Sequence, residues 1–412
     1  MNPATRLPRW ADAALSAWLL FWASLVVVYC HSGALAFAGL AGLLGAAGWV
    51  VLLRRTPLRG RALLVGLAWV PLLLWMAVSS LWGPEVGEPT PPKLALQLAL
   101  MLSLPALVAT RAPRTKTVLS HILIATALAG TLAMVADVAS GYGLAFAVDP
   151  LQPGESMWHR QSDAELNLGR GLVAWSLLTP VLLALMAHHL RGWRAWAAGA
   201  ALVALLLAAS LLNRLVVPLL ILASSLPLAA LATRAPRAVG RLGVAGALGL
   251  LLGAPLVGWL AGRVPESVLA QLPLSWDHRL RMWDYTLSRI LERPLLGHGM
   301  DASRAMQDSF VTRIDVPIPF ISLHPHNVGL QVWLELGLFG ALFAAFALVS
   351  AMGAAARVSA GSRARVFAMQ GLLFGVMAAS LITVGAWQYW FWGLVVFAAA
   401  LVLLLPGRHT PA

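Results

Sequence analysis

Two histidines separated by one proline, His324 and His326, stand just before Asn327 in the stretch "LHPHNVGLQVWLELGLFG", Leu323 to Gly340. An imidazole titrates at about pH 6.5, so at neutral pH either ring is a candidate general base for taking a proton from a hydroxyl. Helical spacing carries Asn327, Gln331 and Glu335 along one face. Facing lipid, that arrangement is costly, so the face is expected to look into a polar cavity. The same residue types admit other chemistry. His-x-His could belong to a metal site, with Cys30 and His31 as further ligands. The rings could cap or pack a helix start, or relay protons with Glu335 in a transporter.

The cations that could hold an anionic substrate are nearly all arginine, since only Lys93 and Lys116 among the 29 basic residues are lysine. A guanidinium grips phosphate with two parallel donors and stays charged when partly dehydrated. Arg214 sits with Asn213 between two apolar runs, where a charge marks either a ligand site or an arginine snorkelling from a span end. Arg160, Arg170, Arg263, Arg279, Arg281, Arg289, Arg293, Arg304 and Arg313 lie on the same side, opposite the basic loops and against the positive-inside tendency. An anionic ligand such as a lipid phosphate accounts for the excess.

The elements that must position these groups follow from composition. The chain is 60% hydrophobic and 11% charged, with a mean hydropathy of +0.80, which excludes a water-soluble globule. A span needs about 20 apolar residues. Twelve runs qualify, near 11–30, 34–53, 62–82, 94–110, 117–137, 171–190, 195–212, 215–233, 242–261, 327–350, 366–384 and 388–406. The fold class is therefore all-α, one polytopic membrane domain over 1–412. The first run follows Arg6 and Arg9 and is of full span length, so it reads as an anchor and not a cleaved signal.

Charge tests this topology independently, because short cytoplasmic loops are rich in Lys and Arg. "RRTPLRGR" (Arg54 to Arg61), "RAPRTK" (Arg111 to Lys116), "RGWR" (Arg191 to Arg194), "TRAPRAVGR" (Thr233 to Arg241) and "RVSAGSRAR" (Arg357 to Arg365) fall on one side with both termini. The other side collects the acids, among them Glu85, Glu88, Asp149, Glu155, Asp163, Asp277, Asp284, Asp301 and Asp315. Both ends are expected to be cytoplasmic, with two long outer loops over 138–170 and 262–326. The net charge of +13 is explained by topology and calls for no nucleic acid. In the larger loop, Trp283, Leu287 and Ile290 with arginines between them predict an amphipathic surface helix. Asp277 or Ser275 caps it, Pro294 ends it, and Asp301 caps a second short helix toward Phe310.

The order of these elements resembles the O-antigen ligase and polymerase superfamily of bacterial envelope glycosyltransferases. Arg279 four residues before Trp283, then "RPLLGHG", then "HPHNVGLQVWLELGLFG" closing on Gly337 and Gly340, carry the likeness. "SLLNR" at Ser210 to Arg214 adds a second match, with Asn213 where the family has Ser. The resemblance implies an inverting, metal-independent transfer without cofactor on the periplasmic face of the inner membrane. An undecaprenyl pyrophosphate-linked glycan would be the donor, and in the ligases a hydroxyl of the lipid A core oligosaccharide the acceptor. His326 is then the expected base with His324 as the alternative. Arg279 and Arg214, with Arg281 and Arg170 behind them, are the expected pyrophosphate clamps. The polymerases carry Arg-x10-Gly in both large outer loops. Arg160 and Gly171 fit it in the first, but no arginine from Arg279 to Arg313 does in the second, which favours ligase. Protein-glycosylating relatives extend well past the last span, whereas this chain stops at Ala412.

Overall fold

The computed structural model describes residues 8–54, 56–84, 90–148 and 156–407. Glu85, Glu88, Asp149 and Glu155, which the charge pattern assigns to the outer side, lie outside them, as do both chain ends. The described chain is mostly helical, and each of the twelve apolar runs falls on a helix. Among the described residues eight helices are long and apolar enough to cross a membrane: α1 (Arg9–His31), α2 (Ala34–Leu52), α4 (Thr90–Ala109), α5 (Pro113–Ala139), α6 (Met157–His189), α7 (Trp193–Leu212), α12 (Val328–Ser359) and α13 (Arg363–Ile382). A ninth is a bent pair, α9 (Pro236–Leu252) and α10 (Ala254–Ala261). The other three runs form shorter apolar helices, α3 (Leu63–Ser79), α8 (Val217–Ala232) and α14 (Tyr389–Leu404).

Burial ranks these helices. In α6, 83% of the apolar window lies inside the protein, against 22% in α1 and 28% in α7, so α6 is the axis around which the others pack. Trp175 and Leu177 on α6 are fully buried, and α6 meets α5, α7, α8, α13 and α14. Outer helices turn leucines such as Leu64, Leu74 and Leu211 to the surroundings, as lipid-facing helices do. Trp10, Trp193 and Trp196 are exposed beside Arg9, Arg191 and Arg194, the pairing of aromatic and cation found where a helix meets the headgroups.

The 64° bend between α9 and α10 has a local cause. Pro255 lacks the N–H that would bond the Leu251 carbonyl four residues back. Trp333 of α12 supplies the missing donor, its Nε1 lying 2.7 Å from that oxygen.

The larger outer loop departs from expectation in two places. Its amphipathic helix, α11 (Leu274–Glu292), starts after Pro273 with no side-chain cap. Asp277 accepts from Arg281 instead, at 2.8 Å. No second α-helix follows Asp301, which is left-handed (φ 63°) and leads only into a 3-10 turn at Ala302–Ala305. The chain then makes a small antiparallel hairpin, β1 (Ser309–Val311) with β2 (Pro317–Pro319). His278 of α11 bonds the Pro319 and Phe320 carbonyls, and Tyr285 stacks on Phe320 with 4.5 Å between ring centroids.

Candidate active site

The site is built on a break in α12. Gly337 has φ 65° and ψ −163°, a combination open to glycine alone. The break frees two carbonyls and two N–H groups, and the turn Pro294–Gly299 takes all four. The N–H groups of His298 and Gly299 donate to the Leu334 and Glu335 oxygens, both at 2.9 Å. In return Leu338 and Phe339 donate to the Pro294 and Leu295 oxygens at 2.9 and 3.4 Å. Gly297 (φ 73°) lies against the Glu335 carbonyl with no room for a Cβ. The "RPLLGHG" and "ELGLFG" stretches are therefore two halves of one backbone exchange. Trp75 and Trp82 brace it through the Leu336 and Gly297 carbonyls.

The His-Pro-His turn sits at the start of α12, held by the Trp283 indole N–H on the Pro325 oxygen at 2.9 Å. Three consecutive carbonyls at the end of α13 then organise the site. Leu381 accepts from the Asn327 amide at 3.1 Å, Ile382 from Arg279 Nε at 3.1 Å, and Thr383 bonds His326 Nδ1 at 2.9 Å. Carbonyls at a helix end have no partner within the helix and carry its negative pole, so they suit N–H donors and a cation. With Nδ1–H donated, the lone pair of His326 is on Nε2, and no described protein group bonds it.

His324 is occupied differently. Its Nδ1 accepts the His326 backbone N–H at 3.2 Å, so its proton is on Nε2, 2.9 Å from the Gln388 amide. The amide must then turn its oxygen toward the ring. The two rings meet edge to face, 4.5 Å apart. Burial lowers His324 to about 3, with His326 and Arg304 adding to the shift. Burial also holds His326 below the ordinary imidazole value; its bond to Thr383 opposes this, and Arg279 and His278 reinforce it. Both rings are thus neutral at neutral pH.

The two arginines of α11 separate. Arg279 bonds only the Ile382 and Ser275 carbonyls, and no carboxylate among the described residues pairs with it; burial lowers its pKa. Arg281 is neutralised by Glu266, at 2.6 and 3.0 Å, and by Asp277. Arg214 lies in the α7–α8 turn, exposed and left-handed (φ 52°). The helix that follows it, α8, packs Val217 on the cluster holding Trp283, Leu330 and Ile382. Arg170, on α6, bonds Asn167 at 3.1 Å, and the neighbouring Gly169 packs near Leu215.

The Asn327, Gln331 and Glu335 face is a correction to the sequence reading. It is 0 to 3% exposed and closed by hydrogen bonds to its neighbours. The Glu335 carboxylate accepts from Ser303, Gln331, Trp387 and the Asp301 backbone, at 2.7 to 2.9 Å. Gln331 accepts from the Ala386 N–H at 2.7 Å, and Asn327 caps α12 through the Leu330 N–H. This column ties the outer loop to the α13–α14 connection beneath the histidines. Ser303, Trp387, Gln388 and the Leu381–Thr383 carbonyls were missed from sequence; backbone acceptors carry no residue signature. Among the described residues no three His, Cys, Asp or Glu side chains converge as metal ligands. His31 Nε2 lies 3.0 Å from the Asp137 carboxylate, and Cys30 is buried.

An apolar cavity of about 240 Å³ begins beside this site. Val328, Ala386 and Trp387 line one part of it, and Leu348, Ala351 and Val396 extend it along the helices.

Residues 166–345 match the family described as O-Antigen ligase. The candidate base, clamp and polar-face residues all lie within this O-antigen ligase match, whereas the Leu381–Thr383 carbonyls lie beyond it. Curated relatives align over shorter stretches. One from Rickettsia conorii is 40% identical over 81 residues, 18% of this chain and 19% of the relative. One from Rickettsia prowazekii is 41% identical over 85 residues, 19% and 20%. One from Rickettsia bellii is 38% identical over 106 residues, 23% and 25%. Each bears a provisional name as a polysaccharide ligase, and the alignments span a fifth to a quarter of their length.

Proposed function

We propose that this chain is a membrane-embedded glycosyltransferase of the O-antigen ligase type. It moves a polysaccharide from undecaprenyl pyrophosphate to a hydroxyl of the lipid A core oligosaccharide, on the periplasmic face of the bacterial inner membrane. The observation that carries this reading is the free Nε2 of His326 beside the carboxylate-free Arg279, both held by carbonyls at one helix end.

His326 Nε2 takes the proton of the acceptor hydroxyl as that oxygen attacks the anomeric carbon. The bond from that carbon to the pyrophosphate oxygen breaks on the opposite face, inverting the centre. The charge leaving on the pyrophosphate is met by Arg279 and by Arg214, which enters from the α7–α8 turn. Fixed cations stabilise developing charge most where water is excluded. The proposed transfer is metal-independent: side chains supply both base and clamps. The apolar cavity beside Val328 and Trp387 suits the first isoprene units of the donor.

With purified protein, lipid-linked donor and core acceptor, His326→Ala should lower transfer by about 100-fold or more, the usual contribution of a general base, while donor binding stays near normal. Near-normal turnover would remove His326 from the mechanism. Deleting the gene should strand long polymer on the lipid carrier with bare core. Single repeats on the core without long chains would instead make the enzyme a polymerase.

A further inference from the structure

A second polar cluster lies where α5 ends and α7 turns into α8. Asp137 is fully buried, and its carboxylate accepts the backbone N–H groups of Leu144 at 2.7 Å and Ala145 at 3.2 Å. His31 Nε2 is 3.0 Å from the same carboxylate, and the Asp137 carbonyl takes the Tyr142 N–H at 2.8 Å. These contacts hold Tyr142 in a left-handed conformation (φ 68°), with its ring 8% exposed.

The Tyr142 hydroxyl donates to Asn213 Oδ1 at 2.6 Å. Burial raises the phenol above the ordinary tyrosine value; Glu165, through its charge and a hydrogen bond, and Asp137 add to this, and Arg214 opposes it, so the hydroxyl keeps its proton at neutral pH. Asn213 ends α7, and Arg214 follows it at φ 52°. The Asn213 Nδ2 is buried with no protein partner, so the bond from Tyr142 is the side-chain tether of this turn among the described residues. A left-handed arginine persists only where its surroundings hold it against the strain of that conformation.

We infer that Tyr142 is a positioning residue for the donor, fixing through Asn213 the turn that presents Arg214 to the pyrophosphate. The inference rests on the reading of Arg214 as a clamp. It assigns a role to a residue outside the matched family region, on an element anchored by the buried Asp137.

The test is a double-mutant cycle in the full chain, purified in detergent, reading KM for the lipid-linked donor and kcat separately. Tyr142→Phe should raise the donor KM about 2- to 12-fold, the worth of one neutral hydrogen bond, with any fall in kcat no larger than that change. In an Arg214→Ala background, Tyr142→Phe should add nothing. Asn213→Ala, which removes the acceptor from the other side, should reproduce the KM change if Tyr142→Phe does not fold. A raised KM in Arg214→Ala with an unchanged KM in Tyr142→Phe overturns this inference alone, as does full multiplication of the two effects. An unchanged KM in Arg214→Ala strikes the clamp reading as well.

Discussion

His326 and His324 differ by one backbone hydrogen bond in what they can do. Donating Nδ1–H to Thr383 leaves His326 Nε2 as a base, and because its pKa is lowered, the base form persists below the ordinary imidazole range. The acid limb of kcat/KM should therefore fall below about pH 6.5; a limb above that value would count against His326. His324 shows the same shift as stability. Its folded pKa is about 3 and its unfolded value about 6.5. Between them only the unfolded chain binds the proton, so stability is complete above the upper value and lost as pH falls toward the lower. The melting temperature should drop on acidification from about pH 7 to pH 5, and drop less in His324→Gln. The arginines of α11 give a matched pair. Arg279→Ala should weaken donor binding while Arg281→Ala spares it, since Arg281 is already bound to Glu266 and Asp277. Sequence alone leaves each of these pairs open, because the choice depends on partners supplied from far along the chain. Glu335 is read from sequence as a relay or cavity group, but its four donors make it a bracket. Glu335→Gln leaves a donor unmatched and should cost about 1–3 kcal/mol, seen as a lower melting temperature.

The helices themselves are legible from sequence, because lipid demands a long apolar run whatever the chain does there. α11 is legible for a related reason: Trp283 and Ile290, both buried, recur at helical spacing. The β1–β2 hairpin is not, since three-residue strands containing Pro317 and Pro319 have too little pattern to distinguish them from a loop. The break in α12 is visible in sequence only as one more glycine in a glycine-rich chain; what makes Gly337 special is its partner turn some forty positions earlier. Gly337→Ala forces a Cβ into a conformation costing about 1–3 kcal/mol and into contact with Leu295. It should lower thermal stability and activity together, whereas Gly240→Ala, in open space on a helix, should leave activity unchanged and stability unchanged or slightly higher.

For the molecule as a whole, the charge pattern sets an orientation that labelling can check. Cys30 is fully buried and should stay silent to a membrane-impermeant maleimide. Ile314→Cys, at the exposed hairpin tip, should react in intact spheroplasts, and Arg237→Cys only after permeabilisation; the reverse pattern would invert the orientation. The exchange between Pro294–Gly299 and the broken α12 also bears on biosynthesis. When α12 leaves the translocon its interrupted stretch carries orphan N–H and C=O groups, each costing several kcal/mol in hydrocarbon. The turn that satisfies them has already been synthesised, but the α13 carbonyls that orient His326 have not. The bilayer thus compels the turn to dock first, and the reactive imidazole is aligned only when the following helix arrives. A nascent chain lacking that helix carries the motif histidines without the carbonyl that fixes their protons.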